Sequence, residues 1–484
     1  MPGAYEVVIG LEVHVELHTA SKIFCACPNR FGNVPNTNIC PVCLGLPGTL
    51  PVFNKKALEL SLRAALALNC QVNPFSRFAR KNYFYPDLPK AYQISQYEYP
   101  LAGIGALDVF KDGVLLRSVT IERLHLEEDA GKLLHDEDNS SSYVDYNRCG
   151  VPLIEIVTAP DLRSSEEARI FLETLRRTLL YTEISDCKME EGSLRCDANI
   201  SLRPPGTEAL GQKVEIKNMN SFKAVQRGLE YEVVRQTKIL DKGARVAQET
   251  RRWHENTGVT SEMRSKEKEQ DYRYFPEPDL PPVVVDDIML KKTRDALPEL
   301  PVARFQRLMT DYDLSSYQAE IITAERSLAD FFEETLESYS QPQKVANWLL
   351  GDVSKIINLG TKEINNTLFT PAHLAELLEL VDGEQISGPT SKDILEECFK
   401  DGKMPAVIMA EKGLGQISDA EELEKIVDAV LEGNTMAIKD YLEGNKKVIA
   451  YLMGNVMRIT GGKANPQLVT AMLKERLDNY TRNK

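Results

Sequence analysis

Two pairs of cysteines, Cys25-Ala-Cys27 and Cys40-Pro-Val-Cys43, place four thiols within 19 residues of one another. Cys-x-Cys, a twelve-residue spacer and Cys-x-x-Cys bring four soft ligands from two tight turns, the donor set of a closed tetrahedral zinc site. Four thiolates leave no coordination position for a substrate, so such a site is structural. Four reduced cysteines without metal, or an iron–sulfur cluster, are the alternatives.

A different set of donors lies just upstream. In Gly10-Leu-Glu12-Val-His14-Val-Glu16-Leu-His18, strand alternation puts Glu12, His14, Glu16 and His18 on one face and Leu11, Val13, Val15 and Leu17 on the other. Carboxylates and imidazoles on a common face can hold a hard divalent cation; a solvated polar face has the same pattern. Leu124-His-Leu-Glu-Glu128-Asp and Leu153-Ile-Glu155-Ile-Val add acidic groups. Glu155 interrupts an apolar strand, where an unpaired carboxylate is costly, so a positive partner should face it, whether metal or salt bridge. Arg195-Cys-Asp197-Ala-Asn199-Ile-Ser201 and Lys213-Val-Glu215-Ile-Lys217 are further strands with one polar face, able to line a phosphate and metal cleft or simply to meet solvent. Arg80-Lys-Asn-Tyr-Phe-Tyr-Pro-Asp-Leu-Pro-Lys90 interleaves bases with aromatics, which suits nucleotide binding or an ordinary packed loop.

The elements that must carry these groups belong to a large protein. Its 484 residues suffice for several domains, and 43% hydrophobic with 27% charged residues describes a globular chain rather than a disordered one. No uncharged apolar run is long enough to span a bilayer, and Met1-Pro-Gly-Ala-Tyr-Glu has no export character, so a cytoplasmic protein without a membrane partner is expected. Nine cysteines, an odd number, fit metal binding and burial better than a disulfide framework.

Residues 5 to about 290 mix short alternating segments with helical ones, an α+β pattern. Strands are expected at Val7–Leu17, Ser118–Leu126, Pro152–Val157, Leu194–Leu202 and Lys213–Lys217, and helices at Lys55–Leu68 and Glu166–Leu180. The proline-punctuated stretch from Phe275 to Pro282 signals a boundary near 293. From there the periodicity is helical: Pro301–Thr310, Ser316–Ala324, Leu328–Tyr339, Gln343–Asn358 and Pro371–Val381. A third unit starts near 409, with a capping box at Ser418-Asp-Ala-Glu421 and a last helix opened by Asn465-Pro466. Domains of 1–293, 294–408 and 409–484 result. The net charge is −14, yet residues 441–484 carry eight Lys/Arg against three Asp/Glu, a basic tail on an acidic protein.

Absences narrow the chemistry. There is no P-loop, since Gly461-Gly-Lys463 lacks the first glycine and the hydroxyl, and no dinucleotide fingerprint follows an expected strand. A nucleophile elbow and a glycine- and serine-rich amidohydrolase segment are also missing, so any nucleotide is held otherwise and no hydrolase is recognisable.

Taken together, Val8-Ile-Gly-Leu-Glu-Val-His-Val-Glu-Leu17, Arg80-Lys-Asn-Tyr-Phe-Tyr-Pro-Asp87, Leu124-His-Leu-Glu-Glu-Asp-Ala-Gly-Lys132 and Pro152-Leu-Ile-Glu-Ile-Val157 resemble the B subunits of the tRNA-dependent amidotransferases. The likeness continues through Val345-Ala-Asn-Trp-Leu-Leu350, Gly454-Asn-Val-Met-Arg458 and Gly462-Lys-Ala-Asn-Pro466, nearly the whole chain. It implies a glutamine-synthetase-like catalytic cradle, a helical domain and a tail domain that helps hold tRNA. It implies ATP-dependent phosphorylation of the side-chain carboxylate of Glu-tRNA(Gln) or Asp-tRNA(Asn), followed by amidation with ammonia. It also implies a heterotrimer in which an amidase (glutaminase) partner is the ammonia source and a small third chain completes the assembly. Carried onto this sequence, the resemblance places a magnesium site on Glu12, His14, Glu128 and Glu155 and sets Lys81 near the point where ammonia arrives. Arg195 and Asp197 are expected to contact ATP. A zinc-containing tRNA-binding adaptor without catalysis is the alternative, and a metal-dependent nuclease a third reading.

Overall fold

The computed structural model describes residues 5–136, 141–263, 272–360, 363–417 and 419–482. The chain divides into two compact units, Met1–Arg304 and Phe305–Lys484.

An eight-stranded sheet organises the first unit. From edge to edge its strands are Val259–Glu262, Glu249–His254, Val214–Met219, Leu194–Arg203, Glu6–Glu16, Pro152–Thr158, Val114–Glu128 and Gly105–Lys111. Every pairing is antiparallel except that of Val214–Met219 with Glu249–His254. A parallel pair needs a crossover, and helix Phe222–Leu240, capped by the Ser221 side chain on the Ala224 N–H, lies between those two strands in the chain. This 19-residue helix was not among the helices expected from the sequence, although the two expected ones are present, Lys55–Ala67 and Ser165–Tyr181. The strands at 105–111, 249–254 and 259–262 were likewise not expected.

The sheet has two unlike faces, and the alternation of its strands is the reason. Val13, Val15, Ile154, Ile156, Ala198 and Ile200 are buried in one cluster with Phe171, Leu172, Leu175 and Leu229 of the two long helices. Their neighbours Glu12, His14, Glu16, Glu155, Arg195 and Asp197 are therefore turned to the opposite face. Because side-chain direction repeats every second residue, slipping one strand by a residue would bury charges and expose the valines, so the apolar face fixes the register.

Two bulges adjust that face. In Val114–Glu128, pairing with Pro152–Thr158 shifts between Ile121 and Arg123, so Val119 and Ile121 share the buried side with Leu124 and Leu126 despite the change of parity. His125 and Glu127 consequently look out from the polar face. A second shift, between Cys196 and Ala198, gives Val214–Met219 the extra residue, with Asn218 at a φ of 69°, and Asp197 pairs with Lys217 beside it.

The second unit is helical. Its buried apolar residues form two clusters, one running from Phe305 to Ile408 and the other from Leu423 to Leu477. The stretch expected as one helix, 343–358, is Pro342–Trp348 and Ser354–Gly360 joined by a π turn at Leu349–Val353, with the Ser354 hydroxyl donating to the Leu349 carbonyl. The expected domain edges near 293 and 409 fall inside helices Asp287–Asp295 and Pro405–Lys412. Ser418 of the expected capping box lies outside the described residues, and Asp419 caps helix Ala420–Gly433 on the Glu422 N–H. Asn465 does open the last helix, Pro466–Arg482, accepting from the Gln467 and Leu468 N–H groups. Among the described residues no helix is long and apolar enough to cross a membrane.

Candidate active site and metal centre

Three central strands bring the site together by register. His14 pairs with Glu155, and Glu155 with His125 on the next strand, giving a row of imidazole, carboxylate and imidazole across the polar face. Glu127, two residues beyond His125, reaches the same row. His14 Nε2 lies 3.5 Å from Glu155 Oε2 and 3.7 Å from Glu127 Oε1, while His125 Nε2 lies 3.2 Å from Glu155 Oε2. Ser95 donates to Glu127 at 3.2 Å.

The charges of this row support one another. Burial works to lower the pKa of His125, but hydrogen bonds and attraction from Glu127 and Glu155 outweigh it and raise the group to about 9. His14 shifts the same way, burial again being overcome by Glu155 and then Glu127. For Glu155, burial opposes ionisation, and the two imidazoles reverse that effect, holding its carboxyl well below the usual range. His14 and His125 are thus the groups set against this carboxylate in its otherwise apolar strand.

Of the expected ligand set, His14 and Glu155 converge, and Glu12 and Glu128 do not join them. Glu128 points away from the cluster, on the opposite side of its strand from Glu127, and is ion-paired with Lys90 while accepting the Ile94 N–H at 2.8 Å. Its side chain is 2% exposed and that of Lys90 7%. Glu127, and not Glu128, is the carboxylate of this strand that lies within reach of His14 and Glu155. Glu12 stands on the polar face beside His14 but outside the three-group cluster, its carboxylate accepting the Asn199 amide at 2.9 Å. Glu16 also faces this side: burial and then the neighbouring Asp129 raise its carboxyl to about 8. His18, at the end of the alternating run, is exposed.

His14, Glu127 and Glu155 each offer a ligand atom, all within 4.8 Å of one another. Two carboxylates with one imidazole fit a hard divalent cation such as magnesium. The buried Asn199 Oδ1, beside Glu12, has no hydrogen-bond partner among the described residues and is a further oxygen donor on the same face.

Next to the cluster a cleft of about 580 Å³ is bordered by Phe31, Lys132, Arg148, Arg195, Asp197 and Glu16. Asp129, almost fully buried, anchors Arg195 at 2.7 Å and Arg148 at 3.4 Å. Burial opposes its charge, but the two guanidinium groups hold its carboxyl below the ordinary value. Arg195 Nε remains without a partner among the described residues. Asp197 is held by Lys217, which also contacts Glu215 at 2.9 Å. Fixed guanidinium groups around a roomy cleft are suited to anionic oxygens.

Lys81 lies on the short strand Ala79–Asn82, paired with Tyr92–Ser95 and with Phe275–Pro276. Its ammonium sits over the Tyr272 ring, 4.7 Å from the centroid, and 5.9 Å from that of Tyr83.

The four cysteines converge as their spacing predicts. Cys25, Cys27, Cys40 and Cys43 place their sulfurs within 4.8 Å of one another. The Cys40 N–H points at Cys43 Sγ, 3.2 Å away, and wholly buried Lys22 brings its ammonium to 3.8 Å from the same sulfur. A buried ammonium needs negative charge, which metal-bound thiolates supply. Contact with Cys25 is the chief cause that lowers the Cys43 thiol to about 5. The second knuckle continues to Gly45, whose φ of +64° and position against the Lys90 stem both require glycine: a Cβ there would lie 2.3 Å from Lys90 Cγ.

A mixed sheet with one polar face of clustered carboxylates and imidazoles, beside an arginine-lined cleft, defines a catalytic domain rather than a bare binding module. The model of the GatB/GatE catalytic domain matches residues 7–291, and that of a GatB domain matches residues 330–477. A Carboxydothermus hydrogenoformans protein, the B subunit of an aspartyl/glutamyl-tRNA(Asn/Gln) amidotransferase by name, is 54% identical over 98% of this chain and 99% of its own. Relatives of the same name from Moorella thermoacetica and Thermodesulfovibrio yellowstonii are 54% and 49% identical, over 98% and 97% of this chain and 100% and 98% of theirs. The chain belongs to the family of amidotransferase B subunits.

Proposed function

We propose that this chain is the kinase and transamidase component of a tRNA-dependent amidotransferase. It uses ATP to phosphorylate the side-chain carboxylate of Glu-tRNA(Gln), Asp-tRNA(Asn) or both, then replaces the phosphate with ammonia. In the first step a carboxylate oxygen attacks the γ-phosphorus and ADP leaves. In the second, ammonia attacks the acyl carbon, phosphate departs with the C–O bond, and the nitrogen sheds a proton. The amidase that liberates ammonia is a separate chain, held with a small third one in a heterotrimer, and the basic tail helps hold the tRNA.

The observation that carries this reading is the cluster of His14, Glu127 and Glu155 beside the cleft of Arg148 and Arg195. Magnesium held by the cluster, with Glu12 and Asn199 near at hand, would neutralise oxygens during phosphoryl transfer. Arg195 and Arg148, anchored by Asp129, orient the polyphosphate, and the Asp197–Lys217 pair borders the same cleft. Lys81, against its tyrosines, offers a cation where phosphate is expelled. Zinc in the four-cysteine knuckle would be structural, and its closed set leaves the chemistry to the sheet. A pure adaptor has no use for this convergence of charged groups.

The test uses the complex with its partner chains, supplied with Glu-tRNA(Gln), ATP, magnesium and ammonium chloride, which bypasses the amidase. Glu155→Gln should lower Gln-tRNA formation about a hundredfold or more while tRNA affinity stays within about twofold. Product at the wild-type rate from Glu155→Gln would overturn the assignment.

A further inference from the structure

Close to the acidic cluster stands a surface that the proposed chemistry does not use. Tyr97 and Tyr274 stack face to face, their centroids 4.1 Å apart and their planes inclined by only 6°. Tyr272 meets Tyr274 edge-on at 6.3 Å and Tyr83 at 5.8 Å, so the rings form one continuous wall. The wall is not sealed into the core: Tyr97 is 56% exposed, Tyr99 44% and Phe275 45%. A shallow cleft bordered by Arg77, Tyr97, Tyr99, Tyr274 and Phe275 opens there, and the Arg77 guanidinium covers the Tyr99 ring at 5.0 Å.

The wall is tied to the reacting centre. Ser95, two residues before Tyr97, hydrogen-bonds Glu127. Burial raises the Tyr274 phenol, and the carboxylates of Glu127 and then Glu155 push it the same way, so this ring stands within their field. The ATP cleft beside Arg195 is lined by other residues.

The substrate supplies the occupant. An aminoacyl group is esterified to the ribose of the last nucleotide of tRNA, a terminal adenosine. Once its side-chain carboxylate is held at the cluster, the base on that ribose is the nearest flat apolar group of the acceptor strand. A solvent-facing tyrosine stack is a surface onto which a further ring adds, and stacking is tolerant of base identity. We propose that the Tyr97–Tyr274 stack receives the terminal adenine of the aminoacylated acceptor end; Arg77, beside it, is paired with Glu98 at 2.9 Å. This rests on the reading that His14, Glu127 and Glu155 hold the reacting carboxylate.

Equilibrium binding to the assembled complex tests it, using uncharged tRNA(Gln) and the same tRNA lacking its terminal adenosine. Removing the adenosine should weaken binding to the wild type about tenfold. Tyr97→Ala should show the same loss with full-length tRNA and no further loss with the truncated one, while Tyr97→Phe behaves as wild type. Unchanged affinity in Tyr97→Ala, or losses that add, would overturn the proposal. A raised KM for ATP with tRNA binding intact would give the platform to the ATP adenine instead. Failure of Tyr97→Ala to co-purify with its partner chains would make this face an interface of the assembly, again against the proposal. Binding of uncharged tRNA does not depend on the carboxylate cluster, so an active Glu155→Gln enzyme would sink the cluster assignment and leave this result standing on its own.

Discussion

Removing the ammonium of Lys90 should be among the most damaging single changes available in the sheet unit. Lys90 and Glu128 are both nearly inaccessible, 7% and 2% exposed, so Lys90→Met strands a carboxylate where water cannot reach it. Breaking such a pair from one side typically costs about 3–5 kcal/mol. The Ile94 N–H, 2.8 Å from Glu128 Oε1, still stabilises the charge. The expected loss is therefore about 3 kcal/mol at pH 7. Glu128→Gln keeps an acceptor for Ile94, and the double variant Lys90→Met/Glu128→Gln removes both charges. It should come within about 1.5 kcal/mol of the wild type, a coupling of at least about 1.5 kcal/mol. Urea unfolding measures this, with Trp253, 1% exposed in the sheet unit, as the reporter and Trp348 replaced by Phe. A loss below about 1 kcal/mol from Lys90→Met, or additive single changes, would refute the reasoning.

Two further outcomes follow from geometry already described. Zinc analysis should find about one ion per wild-type chain and markedly less in Cys43→Ser, because a hydroxyl in place of the buried Cys43 sulfur is a poor zinc ligand; equal zinc in both would exclude the four-cysteine site. Asp382, with Lys344 at 2.7 Å and the Tyr339 hydroxyl as neighbours, has its carboxyl held below the usual value although burial opposes this. A depressed folded-state pKa contributes stability above the unfolded value and loses it as the pH falls. Asp382→Asn should therefore cost about 1 kcal/mol at pH 7 and progressively less below about pH 4, and a deficit that is constant with pH would contradict this.

Much of the site was legible because strand alternation is a strict rule. The 12–18 run announced its polar face, and Glu155 announced a charge that needed company. Applied to 124–129, the same rule pairs Leu124 with Leu126 on the buried side and turns His125 and Glu127 outward. Glu128 was expected from the family resemblance rather than from the parity, and it is Glu127 whose carboxylate lies beside His14 and Glu155. His125, 3.2 Å from Glu155, is the neighbour of the cluster most readily missed, since a histidine between two leucines looks like core until its neighbours across the sheet are known. Asp129, which anchors two arginines, gave no local signal at all; it sits just past the end of its strand, and its partners, in a bend at 148 and on a strand at 195, are distant in the chain. The Cys-x-Cys and Cys-x-x-Cys pairs converged as spacing required, because short chelating turns are local. Helix Phe222–Leu240 went unread although Ser221 caps it, in part because Gly228 and buried Glu232 interrupt its apolar stripe.

The position of the first strand has a consequence for synthesis on the ribosome. Glu6–Glu16 leaves the tunnel before either of its neighbours, and it becomes a central strand, bonded on one side to Pro152–Thr158 and on the other to Leu194–Arg203. At roughly 5–20 residues per second, both partners become available only on the order of 10–40 s later. Through that interval Val7, Val8, Ile9, Leu11, Val13 and Val15 form a bare β-forming segment with two open edges, the part of the nascent chain most in need of a holding chaperone.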